Sequence, residues 1–124
     1  MIRLDTHVVV WLYAGEVQRL SKPARELLEA DIPVISPIVE LELTFLYEIE
    51  RITVRAAEIV ADLADRIGLA SSATPMPSVV AAATPLQWTR DPFDRLIVGD
   101  ALAASASLIT KDVTLRERSG CAVW

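Results

Sequence analysis

Three helical stretches of this chain open on a residue suited to capping followed within two positions by proline: Ser21-Lys22-Pro23, Ser36-Pro37 and Asp91-Pro92. A capping side chain accepts the free N–H groups of a first helical turn, and a proline there has no N–H to lose, so each cluster marks a helix start. Between the helical stretches lie short β-compatible segments: one around Arg3 that ends at Asp5, then residues 32–35, 69–74, 107–110 and 121–124. Strands separated by helices pair in parallel, with the helices covering the sheet. The expected fold class is α/β, a three-layer arrangement with a central, mainly parallel sheet of four or five strands flanked by helices. With 124 residues, 1–124 is expected to form a single domain.

The helices differ in how clearly they announce themselves. Residues 6–13, Thr-His-Val-Val-Val-Trp-Leu-Tyr, suit a buried helix or a longer strand, and periodicity does not separate the two. Ser21 caps a helix with Leu27 and Leu28 on its inner face. In the helix after Ser36-Pro37 the apolar line is Ile38, Glu42, Phe45, Ile49 and Ile52, and the opposite line carries Glu40, Thr44, Tyr47, Glu48 and Arg51. A further helix spans residues 54–67, with a core line of Ala57, Val60, Ala61 and Ala64, and stops at Gly68. Residues 74–78 form a turn, 78–84 a brief helix, 89–106 a longer one and 113–118 a last short one.

Composition narrows the function classes. A 52% hydrophobic chain with positive mean hydropathy builds a packed core, and the net charge of −5 argues against coating nucleic acid by bulk electrostatics. A local basic rim stays compatible, because ten of the 12 basic residues are arginines and several basic side chains fall between residues 90 and 118. No stretch approaches the roughly 18 uninterrupted apolar residues of a spanning helix, so no membrane is expected, and the cytoplasm is the default compartment. Cys121, the lone cysteine, excludes an intrachain disulfide and a cysteine-based zinc site, and is expected as a small buried residue.

The chemistry is expected from acids. In the stretch Thr89-Arg90-Asp91-Pro92-Phe93-Asp94-Arg95, Asp91 is the natural cap. At about 100° per residue, Asp94 shares a line with Val98 and Ala101, inside the apolar face. A charge aimed at a core needs a partner. Asp5 and Asp112 each follow a strand, and in an open parallel sheet the carboxyl ends of the strands share the edge where ligands bind. Glu42 lies under two turns into the helix leaving the second strand. Asp5, Glu42, Asp94 and Asp112 therefore have reason to converge. Carboxylates held close together repel unless a cation sits among them, and all-oxygen ligation suits Mg²⁺ or Mn²⁺.

Asp5-Thr6-His7 after an initial strand, Ser36-Pro37 followed by Glu42, Asp91-Pro92-Phe93-Asp94-Arg95, Thr110-Lys111-Asp112 and the terminal Val123-Trp124 together resemble a PIN domain, and closely the VapC-type toxins of bacterial toxin–antitoxin pairs. The resemblance implies a Mg²⁺-dependent endoribonuclease acting on an RNA substrate, silenced by a small antitoxin protein and often a homodimer. It implies Asp5, Glu42, Asp94 and Asp112 as the catalytic acids, with Asp5 and Asp94 as direct metal ligands and Thr110 beside them. Arg95 and Lys111 are expected to steer phosphates together with Thr110. His7 is expected to pack or hydrogen-bond rather than act as a base, and Trp11, Trp88 and Trp124 to serve the core or an interface between copies. Two other classes compete. A Mg²⁺-binding receiver domain would need a phosphoacceptor aspartate on a central strand, which the middle third lacks, and a non-catalytic module of the same fold would not require the acids. Asp100 interrupts an apolar run without an evident reason.

Overall fold

A computed structural model describes residues 1–124, and its framework follows the alternation of strands and helices. Five strands, β1 (Ile2–Leu4), β2 (Pro33–Ile35), β3 (Ala70–Ser71), β4 (Ser107–Ile109) and β5 (Ala122–Val123), form one sheet in the order β3-β2-β1-β4-β5. Every pairing is parallel. Seven helices flank it: α1 (Thr6–Tyr13), α2 (Lys22–Ala30), α3 (Pro37–Glu48), α4 (Ala56–Ile67), α5 (Met76–Ala83), α6 (Pro92–Ala103) and α7 (Val113–Arg118). From β1 the chain steps outward to β2 and β3, then returns to add β4 on the other side of β1. The direction of winding thus reverses between β1 and β4, and a crevice opens beyond their carboxyl ends. No helix is long and apolar enough to cross a membrane.

Residues 6–13, ambiguous in sequence, are helical because the Asp5 carboxylate accepts the Thr6 N–H and the Asp5 carbonyl accepts those of Val8 and Val9. Their apolar run serves a helix buried at Thr6, Val8 and Val9. The proline-marked starts are as expected: Ser21 accepts from Ala24 N–H, Ser36 from Ile38 N–H, and Asp91 from Phe93 and Asp94 N–H.

Several faces and boundaries differ from expectation. In α4 the buried residues are Ile59 and Leu63, whereas Ala57, Ala61 and Ala64 are exposed. Turning the larger side chains inward removes more apolar surface from water than turning in alanines does. In α3 Val39 and Leu43 enter the core, while Phe45 and Ile49 stay largely exposed. In α2 it is Ala24 that is fully buried, with Leu27 and Leu28 partly so. Helix α5 begins at Met76, absorbing the expected turn, and α6 runs only from Pro92 to Ala103. Cys121 is half-buried, its Sγ 3.1 Å from Ser119 Oγ.

Asp100 now has its reason. By strand alternation Arg3 leaves the sheet on the face opposite Ile2 and Leu4, where α6 presents Asp100. Arg3 Nε donates to Asp100 Oδ2 at 2.7 Å, with both side chains almost fully buried, and Ser72 Oγ donates to Asp100 Oδ1 at 2.7 Å. Helix α5 is drawn onto α6 at Gly99, where a Cβ would lie 2.8 Å from the Val79 carbonyl oxygen and 2.9 Å from Ala83 Cβ. Two outcomes follow in urea unfolding. Asp100→Ala strands a buried guanidinium and costs about 3–5 kcal/mol, while the paired change Arg3→Met with Asp100→Leu recovers most of the loss. Gly99→Val forces α5 off α6 and costs about 1–3 kcal/mol.

Candidate active site

The crevice beyond β1 and β4 is a cleft of about 340 Å³ whose lining includes Asp5, Glu42, Asp94 and Asp112. Four separate segments deliver these acids, and each is fixed differently.

Asp5 is the most firmly held. Its backbone N–H donates to the Ile109 carbonyl at 3.1 Å, continuing the β1–β4 ladder by one residue. Oδ1 accepts from Thr6 N at 2.8 Å and Oδ2 from Thr110 Oγ1 at 2.7 Å. Thr110, fully buried, also accepts the Asp112 N–H at 3.0 Å, so one hydroxyl ties two of the acids together. Asp112 caps α7, with Oδ1 accepting from Leu115 N at 3.1 Å, and lines the cleft. Glu42 projects from α3 and accepts a hydrogen bond from the Thr6 hydroxyl. Glu40, the nearby alternative, lies away from the cleft and accepts from Ser71 Oγ at 3.0 Å.

Asp94 alone among the four has no hydrogen bond to its carboxylate. Burial pushes its pKa up, and the negative charges of Asp91, Asp5, Glu42 and Asp112 push further, to about 7. Burial likewise raises Glu42, opposed by the Thr6 hydrogen bond and reinforced by the charges of Asp5 and Asp91. The cleft thus concentrates negative charge without a compensating cation of the protein's own among the acids.

That donor set is all oxygen, as a hard divalent cation requires. No three of the His, Cys, Asp and Glu side chains stand together as a ready-made ligand cage. Mg²⁺ keeps several waters and takes one or two carboxylates directly, so what it asks for is oxygen donors and not a preformed cage. The residues therefore fit the ion that the resemblance implies.

The PIN domain family model matches residues 2–120 of this chain. The chain belongs to the PIN-domain family. This PIN domain is 36% identical over 118 residues to Ribonuclease VapC22 of Mycobacterium tuberculosis (strain ATCC 25618 / H37Rv), a match covering 93% of this chain and 89% of that protein. Two solved structures share the fold. VapBC2 from Rickettsia felis bound to a DNA fragment from its promoter aligns with a TM-score of 0.66 at 21% identity, covering 96% of this chain and 94% of that one. A toxin–antitoxin complex from Klebsiella pneumoniae aligns with a TM-score of 0.67 at 17% identity, covering 100% and 97%.

Around the acids of this PIN domain, the expected phosphate contacts are redistributed. Arg95 turns away from the cleft: Nε donates to the Ala83 carbonyl at 3.0 Å and a terminal nitrogen to that of Thr84 at 2.7 Å, closing the end of α5. Carbonyls left free at a helix end attract such a cation. Thr110 is likewise no phosphate contact, since its hydroxyl is buried and used twice within the protein. Lys111 stays exposed beside the cleft, its Nζ 5.9 Å from the Trp11 ring centroid. His7 accepts the Lys111 N–H at Nε2, 3.0 Å away, and Nδ1 lies 3.6 Å from Asp5 Oδ2. Burial lowers its pKa against the pull of Asp5 and Asp112, so a neutral ring serves here as a hydrogen-bond acceptor.

Arg51 lines the cleft, although helical periodicity places it on the outer line of α3. The helix ends at Glu48, and Glu50 adopts a positive φ of 61°, so periodicity no longer applies at residue 51. That loop conformation carried no clear signal in the sequence.

The raised pKa of Asp94 links stability to pH. In divalent-free buffer the folded state keeps a proton on Asp94 that the unfolded chain releases near its ordinary value of 3.8. The associated stability is fully present below that value and is lost as pH rises through about 7. Asp94→Asn removes this loss, so its metal-free thermal midpoint exceeds that of the wild type at about pH 8 and converges with it toward about pH 4. Parallel melting curves across that range would contradict the assignment.

Proposed function

We propose that this PIN domain is a Mg²⁺-dependent endoribonuclease toxin that hydrolyses RNA phosphodiester bonds and is held inactive by a small antitoxin protein. The observation that carries the reading is the convergence of Asp5, Glu42, Asp94 and Asp112 on one cleft, with the unpaired Asp94 pushed toward neutrality. The similarity to a ribonuclease supports RNA as substrate, and the shared fold with toxin–antitoxin complexes supports an antitoxin partner. Pairing of two copies into a homodimer belongs to the same reading.

In this reading Asp5 and Asp94 would hold the ion directly, and Glu42 and Asp112 would hold its waters. When bound, Mg²⁺ (or Mn²⁺) supplies Lewis acidity, acidifying water and offsetting phosphate charge. The chain supplies placement. Thr6 and Thr110 hold both oxygens of Asp5, so its orientation is set before any substrate arrives. Thr6 and Asp112 tie Glu42 and the start of α7 to the same centre. His7 offers no free Nε2 lone pair, which leaves proton acceptance to the carboxylates. Lys111 and Arg51 are the cations placed to meet a phosphate chain.

Incubation with a long single-stranded RNA tests the reading. Wild-type protein cleaves with Mg²⁺ and not with EDTA. Asp5→Asn and Asp94→Asn abolish cleavage while remaining folded, and Glu42→Gln lowers the rate by about 10–100-fold. Full-rate cleavage by Asp94→Asn, or cleavage indifferent to EDTA, rules it out.

A further inference from the structure

Besides the acids, the cleft is lined by Val10 and Trp11 of α1, Leu46 of α3, and Arg51 and Ile52 of the loop that follows. A hydrated ion needs no apolar surface, so the metal centre does not account for these apolar side chains. Trp11 is only partly buried, and cations gather around its ring: Arg19 lies 5.4 Å and Lys111 5.9 Å from its centroid. Its position is braced by His7, with ring centroids 4.9 Å apart, and edge-on by Trp124 at 6.0 Å. Arg51 is exposed and forms no ion pair, although acids line the same cleft. Apolar side chains with an aromatic ring, beside the unpaired Arg51 and Lys111 and sharing the cleft with the acids, match the parts of one nucleotide: a flat base and a charged phosphate.

We infer that Val10, Trp11, Leu46 and Ile52 form a nucleobase subsite for the unpaired RNA nucleotide next to the bond cleaved, and that Arg51 takes that nucleotide's phosphate. The inference rests on the ribonuclease reading and adds where substrate selection arises. It assigns Trp11 a role in substrate contact beyond the structural one expected of it. Duplex RNA keeps its bases stacked and out of reach, so the subsite selects single-stranded segments.

The test uses the full chain carrying Asp94→Asn, with Mg²⁺ present, so that short oligoribonucleotides bind without being cut. Each oligomer is compared with versions carrying one abasic nucleotide at successive positions. One position is expected to lose about tenfold in affinity on removal of its base. Adding Trp11→Ala abolishes that difference, because the ring that read the base is gone; affinity for the abasic oligomer stays the same. Arg51→Ala weakens both oligomers alike and reduces the slope of log K against log salt by about 1.

Ile52→Ala, a milder change in the same subsite, narrows the base-against-abasic difference and keeps the inference testable if Trp11→Ala unfolds. An abasic scan with no sensitive position overturns the inference. So does equal weakening of base-bearing and abasic oligomers by Trp11→Ala, or unchanged RNA binding accompanied by loss of a dimer on gel filtration, which would assign these side chains to a second copy. Failure of the ribonuclease reading shows separately, as absence of Mg²⁺-dependent cleavage by the chain with Asp94 intact.

Discussion

The parallel contact between β1 and β4 is the constraint on which the site depends. Like charges brought around one cleft repel, and the repulsion is strongest where water is scarce. Something rigid has to hold the acids there. The Asp5 N–H extends the β1–β4 ladder to the Ile109 carbonyl, and one residue later the Thr110 hydroxyl crosses to the Asp5 carboxylate while accepting the Asp112 N–H. Two acids separated by more than a hundred residues are thereby locked through a single buried threonine. Helix capping completes the arrangement, since Asp5 and Asp112 each spend one oxygen on a helix start and keep the carboxylate oriented.

Asp94 stands apart from this pattern. Asp91 takes the capping duty for α6, so Asp94 is released from the backbone and points along the buried line of Val98 and Ala101. Its exposure to the other charges is not offset by any hydrogen bond, and its pKa rises to about 7. With no cation beside it, the crowded Asp94 carboxylate destabilises the fold as pH rises through about 7.

Helix α6 must be held against that repulsion, and two contacts outside the cleft lining do it. The buried Arg3–Asp100 pair joins the middle of β1 to the second half of α6, and Ser72 at the end of β3 shares Asp100. On its other side α6 receives α5 at Gly99 and closes it with Arg95. The arginine beside Asp94 thus secures a helix instead of a phosphate. The cations left beside the cleft, Arg51 and Lys111, come from loops.

Much of this was legible in the sequence, for local reasons. Cap-and-proline clusters act over three or four residues, so the starts of α2, α3 and α6 follow from side chains next to the backbone they bind. Strands separated by helices imply a parallel sheet, and a parallel sheet puts Asp5 and Asp112 on one edge. Helical geometry separates Asp94 from Asp91 and favours Glu42 over Glu40. Tertiary structure decided what periodicity could not. It made 6–13 a helix, turned Ile59 and Leu63 inward in place of alanines, matched Asp100 with Arg3, sent Arg95 to α5, buried Thr110 against Asp5 and brought Arg51 round a turn to the cleft. Most of these depend on a partner distant in sequence. A local pattern determines where a helix begins and which way an acid faces; which neighbour meets a charge is set only when the chain packs.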